Sequence, residues 1–160
     1  MEKITKFDGF DRHILDLLQK NAALSNQEIA DEIGLSASPC SRRIKHLQES
    51  GVITETVTHL NRQALNLDLM VILLIRMDKH TPDRFKAFEK KIRKLPEVIE
   101  CFLITGQDAD YQLKVVVPDM EHYQKVLLQG ITTIEGVSGV RSSFVLQSVL
   151  DTSALPLDYL

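Results

Sequence analysis

The stretch from Ser25-Asn26-Gln27-Glu28 to Gly34-Leu35-Ser36 constrains the fold more than any other, because it marks both ends of a very short helix. Ser25 and Glu28 have the spacing of a capping box, in which each side chain satisfies a backbone donor of the other. Ile29, Ala30 and Ile33 share one face, and Gly34 supplies the stop. A helix of about two turns is unstable alone, so its apolar face has to be covered by its neighbours. Upstream, Asp8-Gly9-Phe10-Asp11 reads as a helix start, followed by a stripe of Phe10, Ile14, Leu17 and Leu18, with Asn21 ending the helix in a left-handed conformation. Downstream, Ser36 caps a third helix running to about Glu49, with Pro39 tolerated in its first turn and Gly51 ending it. Helix, short helix, tight turn and helix together make a helix-turn-helix. Val52 to Leu60 is a β-prone run expected as a strand or wing-like linker.

The third helix carries the chemistry of this half. At 100° per residue, Cys40, Ile44 and Leu47 fall together and pack inward, while Ser38, Arg42, Lys45 and Glu49 point outward. Ser36 to Ser50 carries a formal charge of +2, although residues 1–60 as a whole carry −2. Read in isolation, such a run is a solvated helix face. Behind a capped short helix and a tight turn, it has the placement that lets a helix enter a DNA major groove. The expected DNA-facing set is Ser36, Ser38, Pro39, Ser41, Arg42, Arg43, Lys45 and His46. Arg42 can grip a guanine edge with two hydrogen bonds, and Ser38 and Ser41 can reach base edges or phosphates. Lys45 and His46 suit the phosphate backbone, and Arg43, nearer the core, is expected to lay its stem on apolar surface and offer its head to a phosphate. Cys40 is expected to act as a small core hydrophobe.

The second half reads strand, helix, strand, strand, helix, strand, at about Leu69–Met77, Pro82–Lys94, Val98–Thr105, Tyr111–Val117, Met120–Ile134 and Val140–Leu150. The βαββαβ order is the ferredoxin-like split, so the chain as a whole is expected to be α+β. The division expected is residues 1–60 for a (winged) helix-turn-helix domain with its linker strand, and 61–160 for the ferredoxin-like domain. Leu69 to Ile75 is apolar without alternation, so its strand is apolar on both faces. Two helices cover only one face of a four-stranded sheet, and a second copy of the same sheet is the economical cover for the other. The alternative is an apolar face shielded by the linker.

Composition narrows the function classes. The chain has 160 residues, 44% apolar and 26% charged, and no apolar run long enough to span a membrane. A formal net charge of −3 excludes a uniformly basic coat but leaves room for a local basic patch. Cys40 and Cys101 are far apart in dissimilar contexts, which disfavours a disulfide framework, and no apolar segment follows Met1–Lys6 as in a secretory signal; a cytoplasmic protein is expected. His13, His46, His59, His80 and His122 show no metal-ligand spacing, and there is no G-x-S-x-G, phosphate-binding loop or G-x-G-x-x-G. Neither enzymatic activity nor a metal or other cofactor is expected.

The motifs Asp8-x-x-Asp11-x-x-Ile14-Leu15, Leu18-Gln19, Ser25-Asn26, Gly34-Leu35-Ser36, Arg42-Arg43-Ile44, Leu47, Gly51-Val52-Ile53 and Gly106…Asp110-Tyr111 run collinearly along the chain. In these the sequence resembles the Lrp/AsnC family of leucine-responsive and asparagine-responsive transcription regulators. The resemblance implies double-stranded DNA as a partner, a homodimer assembling further to a tetramer or octamer, and a second domain that senses a free amino acid. Read from residues alone, the Gly106–Tyr111 loop is either an ordinary hairpin turn or an amino-acid site. Gly106 permits close backbone approach, loop N–H groups can hold a carboxylate, and Asp108 or Asp110 can meet an ammonium. With the resemblance, the expected effector set is Leu103, Gly106, Gln107, Asp108, Asp110, Tyr111, Met120, Ser143 and Phe144. The apolar members, with no basic residue expected near the loop, suggest leucine or methionine. Two other function classes share part of this pattern: a sensing subunit of an amino-acid enzyme, which has no need of a basic recognition helix, and an architectural DNA protein with little sequence preference.

Overall fold

The computed structural model describes residues 6–106 and 108–160, so Gln107 of the expected effector set lies outside the described residues. The chain forms two compact units, one made of residues up to His59 together with Leu150–Leu160, the other of Leu60–Val149. Residues 150–160 therefore cluster with the helical unit, away from the domain to which the sequence pattern assigned them.

In the helical unit, α1 (Gly9–Lys20), α2 (Asn26–Ile33) and α3 (Ala37–Glu49) pack around Ile14, Ile29, Ala30, Cys40, Ile44 and Leu47. The expected capping box of Ser25 with Glu28 forms, and the expected cap at Asp8 proves to be a second box, reciprocated by Asp11. Gly34 is left-handed at φ 72°, which lets the Leu35 N–H reach the Ala30 carbonyl and turns the chain sharply into α3. Ser36 sits at the start of α3 but makes no side-chain cap bond, and Asn21 is extended, not left-handed. After Gly51 (φ 77°), the Val52 and Ile53 N–H groups both donate to the Leu47 carbonyl, folding the chain back over α3. The expected strand from Val52 to Leu60 is absent: among the described residues no strand pairs with this run, and from Thr54 it is exposed, irregular chain.

The tie between α1 and α3 is Arg43. Its guanidinium bridges Asp8 at 2.8 Å and Asp11 at 2.7 Å and lies over the Phe10 ring. The same two carboxylates cap α1, so one arginine fixes a helix start and a helix–helix angle together.

The second unit is a four-stranded antiparallel sheet in the order β2 (Val98–Leu103), β3 (Tyr111–Val117), β1 (Leu69–Met77), β4 (Val137–Phe144). Helix α4 (Pro82–Ile92) and helix α5 (Met120–Lys125), which runs into a π-helical turn at Val126–Ile131, cover one face. That face holds the core: Val71, Leu73, Ile75 and Met77 of β1 meet Phe88, Ile92, Tyr123 and Ile131. β4 begins earlier than expected and ends at Phe144, after which the Val145 N–H makes one further bond to the Met70 carbonyl. The other face carries Met70, Ile72 and Leu74 of β1 beside Val116 and Phe102, with no helix over it.

Replacing Arg43 by Ala should destabilise the helical unit by about 1–2 kcal/mol, measured by hydrogen exchange of α1 and α3, and Lys should restore only part because it lacks the planar fork. The Asp8 carboxyl is held below its ordinary range, first by the Asp11 backbone N–H and further by Arg43. A depressed carboxylate adds stability above about pH 4 that disappears as pH falls through its lowered value. That acid-side loss should therefore be smaller in Arg43→Ala; identical pH profiles would contradict the bridge.

Candidate functional site

Two sites can be built, one in each unit. On α3, the inward stripe of Cys40, Ile44 and Leu47 is buried as expected, and burial pushes the Cys40 thiol pKa up, away from reactivity. The opposite face presents Ser38, Arg42, Lys45 and His46 to solvent. Arg42 makes no ion pair among the described residues, and Lys45 has only a loose contact with Glu49 at 3.6 Å. Pro39 is half-buried in the first turn. The Ser41 hydroxyl accepts from the Asn26 side chain at 3.0 Å, tying the start of α2 to α3. Arg43 departs from expectation: its head is taken by Asp8 and Asp11, so it holds the helix rather than offering charge to a phosphate. Its partners lie 32 or more residues away in sequence, which a helical-wheel argument cannot see.

In the second unit the hairpin loop between β2 and β3 is closed at its neck by Asp110. The Asp110 N–H donates to the Ile75 carbonyl, its own carbonyl accepts from the Ile104 N–H, and its carboxylate accepts from the Met77 N–H at 2.6 Å while facing His80 at 2.7 Å. Every polar group of Asp110 is engaged, so this residue holds the loop. Asp108 is different: its side chain is 70% exposed and faces Arg76 at 3.5 Å and Arg141 at 4.0 Å. The expectation that no basic residue lies near the loop is thus corrected. Arg76 and Arg141 stand on neighbouring strands β1 and β4 and reach the loop from the open sheet face. Gly106 is left-handed at φ 90°, which suits the tight turn.

The remaining expected effector residues divide. Tyr111 is a core residue: its ring packs against Phe85 and Phe88, and its hydroxyl donates to Glu89. Burial pushes its phenol well above the ordinary value. Leu103 pairs with Tyr111, and both line a groove of about 380 Å³ between α4 and the edge strand β2, beside Glu89, Arg93 and Cys101. Met120, Ser143 and Phe144 lie at the other end of the sheet, where β1 begins and β3 ends. From Ile75 to Leu69 the strand covers roughly 20 Å at about 3.3 Å per residue. Ser143 also faces the open side while Phe144 packs on Tyr123 under the helices. Within one chain these three cannot line a pocket with the loop. Sequence reasoning missed Arg76, Arg141 and His80; the strand pattern could have placed Arg76 on the open face, but not Asp108 beside it.

Among the described residues no cluster of side chains is placed to hold a metal ion, and no helix is long and apolar enough to cross a membrane. Residues 7–54 match a winged helix-turn-helix DNA-binding family, and residues 70–155 match the Lrp/AsnC ligand binding domain. The leucine-responsive regulatory protein of Escherichia coli K12 is 37% identical over 148 residues, covering 92% of this chain and 90% of that protein. The Bkd operon transcriptional regulator of Pseudomonas aeruginosa is 38% identical over 154 residues, covering 96% of this chain and all of that one. Among solved structures, a transcriptional regulator from Neisseria meningitidis in complex with L-methionine superposes with a TM-score of 0.92 at 34% identity, covering 96% of this chain and 99% of that one. Escherichia coli AsnC gives 0.85 at 25% identity, covering 94% and 99%. With a capped helix-turn-helix that leaves Arg42 free and a βαββαβ unit behind it, this chain belongs to the Lrp/AsnC family and is a DNA-binding transcriptional regulator.

Proposed function

We propose that the protein is a cytoplasmic, sequence-reading regulator that binds DNA as a homodimer or a larger assembly of dimers, and that a free amino acid, with no other cofactor, adjusts its activity. The observation that carries the DNA reading is the division of labour between adjacent arginines. Arg43 is locked to α1, so α3 is rigidly aimed, while Arg42 beside it is exposed and unpaired among the described residues. A rigid helix with a free guanidinium is what base readout needs. Ser38 and Ser41 stand near enough to Arg42 to read bases or grip phosphate, and Lys45 and His46 supply backbone charge.

Assembly is supported by Ile72 and Leu74, partly exposed on the open face of the central strand, and by the exposed Phe102 on the same face of β2. The occupant proposed is the same face of a second copy, which brings two recognition helices to one DNA; further association to a tetramer or octamer would use other surfaces. For the effector, Asp108 is proposed to receive the ammonium, and the loop N–H groups with Arg76 or Arg141 the carboxylate. Leucine or methionine remains the proposed ligand, now supported by the resemblance to the methionine-bound Neisseria regulator and no longer by a lack of basic residues.

Replacing Arg42 by Ala should cost about 1–3 kcal/mol on the preferred site and relax selectivity at particular base pairs, measured by titration of variant duplexes. Lys45→Ala should instead weaken all duplexes alike and flatten the salt dependence. For assembly, Ile72→Glu should shift sedimentation toward monomer with the fold intact, whereas Leu73→Glu, buried under the helices, should unfold the unit. An Ile72→Glu protein that sediments as the unaltered chain does would sink the sheet-face interface. In calorimetry, leucine or methionine should bind at or below about millimolar, Asp108→Asn should weaken binding at least about tenfold, and Asp110→Asn should mainly lower thermal stability. Unchanged binding in Asp108→Asn would remove the ammonium assignment.

A further inference from the structure

The residues that return to the helical unit do so through a specific contact, and it falls on a face of α1 used by neither the core nor the recognition helix. Gln19 reads the backbone of Leu155 in both directions: its Nε2 donates to the Leu155 carbonyl at 3.0 Å, and its Oε1 accepts from the Leu155 N–H at 2.9 Å. One turn pair earlier on the same face, the Arg12 guanidinium donates to the Leu160 carbonyl at 2.8 Å. Arg12 and Gln19 are seven positions apart, a rise of roughly 10 Å, so the segment runs antiparallel to α1 and matches its length with a short 3-10 turn at Leu157–Tyr159. The Ser153 hydroxyl meets the His59 ring at 3.3 Å, where the linker leaves the helical unit.

We infer that Gln19 is a positioning residue that straps residues 150–160 along α1, so that two chain crossings, at 59–60 and 149–150, and not one flexible linker, restrain the recognition helix. The linker alone is poorly suited to this: from Thr54 to Leu60 it is exposed and makes no ladder. A side-chain amide that pairs with both the N–H and the carbonyl of one residue holds an extended segment without burying it, because it satisfies a donor and an acceptor that an exposed segment would otherwise give to water. The hydrogen bonds that dock residues 155–160 fall on Arg12 and Gln19 of α1, and neither residue belongs to the DNA-facing set on α3. Its effect belongs to the geometry of two recognition helices acting together, where restricted orientation raises the effective concentration of the second contact. This rests on the reading that two copies engage one DNA.

The test uses the full chain with Gln19→Ala, and Leu155→Pro as a second variant that removes the N–H from the other side. Both substitutions conserve charge, and alanine is favourable within α1, so neither should alter the electrostatics of a single DNA contact. Hydrogen exchange should show residues 151–160 exchanging faster, the Leu155 N–H above all in Gln19→Ala, with α1 to α3 as well protected as before. Binding is then compared on a duplex of about twelve base pairs, which admits one recognition helix, and on one of about forty, which admits both. The short duplex should bind the variants within about twofold of the unaltered chain, and the long duplex about tenfold more weakly. Unchanged exchange would show that the segment is not docked in solution, and faster exchange with an unchanged ratio of long to short binding would show that the strap positions nothing; either overturns the inference. Equal loss on both duplexes would assign Gln19 to the integrity of the helical unit. An unaltered chain that binds both duplexes alike would remove the two-copy reading, and the strap's role with it.

Discussion

The constraint on which the rest depends is the central strand β1, whose two faces are both apolar in a sheet that has helices on one side only. Val71, Leu73, Ile75 and Met77 are closed off by α4 and α5, and this is ordinary core formation. Ile72 and Leu74 meet no helix and stay partly exposed, while Met70 beside them is already buried within the chain; full burial of an exposed side chain of this size is worth about 1.5–3 kcal/mol. A sheet cannot tilt its strands to hide both sides, and an apolar stripe flanked by polar positions such as Gln112, Lys114 and Arg141 is the pattern of a self-complementary contact. The proposed pairing of copies thus rests on the same sequence run that supplies the centre of the core.

The helical unit solves a complementary problem. A helix of eight residues between two others has little surface for packing, so the placement of α2 rests on its caps, on buried Ile29, Ala30 and Ile33 and on the Asn26–Ser41 hydrogen bond, while the helices on either side of it are joined by a polar bolt. Arg43 supplies the bolt by joining α3 to the two carboxylates that start α1, which places one strongly paired cation directly beside a free one at Arg42. The neighbouring charges therefore have opposite duties: one trades recognition for rigidity, the other is kept available by that rigidity. In the second unit Asp110 and Asp108 repeat the division, the first immobilised by three backbone contacts and His80, the second exposed between two arginines.

How far the sequence reveals this depends on the range of the interaction. The bounds of β1 and β3, the inward stripe of α3 and the caps at Asp8 and Ser25 are local patterns, and all are present in the structure where periodicity puts them. What periodicity cannot supply is partner choice. The bridge from Arg43 to Asp8 and Asp11, the return of Leu155 to Gln19, and the approach of Arg76 and Arg141 to Asp108 all join residues far apart in sequence. The Val52–Leu60 run has β-forming side chains but pairs with no strand among the described residues, so propensity alone misplaces it. β4 is shifted because its register is set by β1 and a bulge at Arg76/Met77. The effector set split because Leu103 and Tyr111 belong to one end of the sheet and Met120, Ser143 and Phe144 to the other, a distance that only the strand pairing reveals.

The central claim is that two copies, joined through their open sheet faces, present two rigid recognition helices to one DNA. Hydroxyl-radical footprinting on a selected high-affinity duplex tests it most directly. The account predicts two protected patches on one face of the DNA, separated by about ten base pairs or a multiple of that spacing. A single protected patch, occupied with the same affinity when half of the duplex is removed, would contradict it.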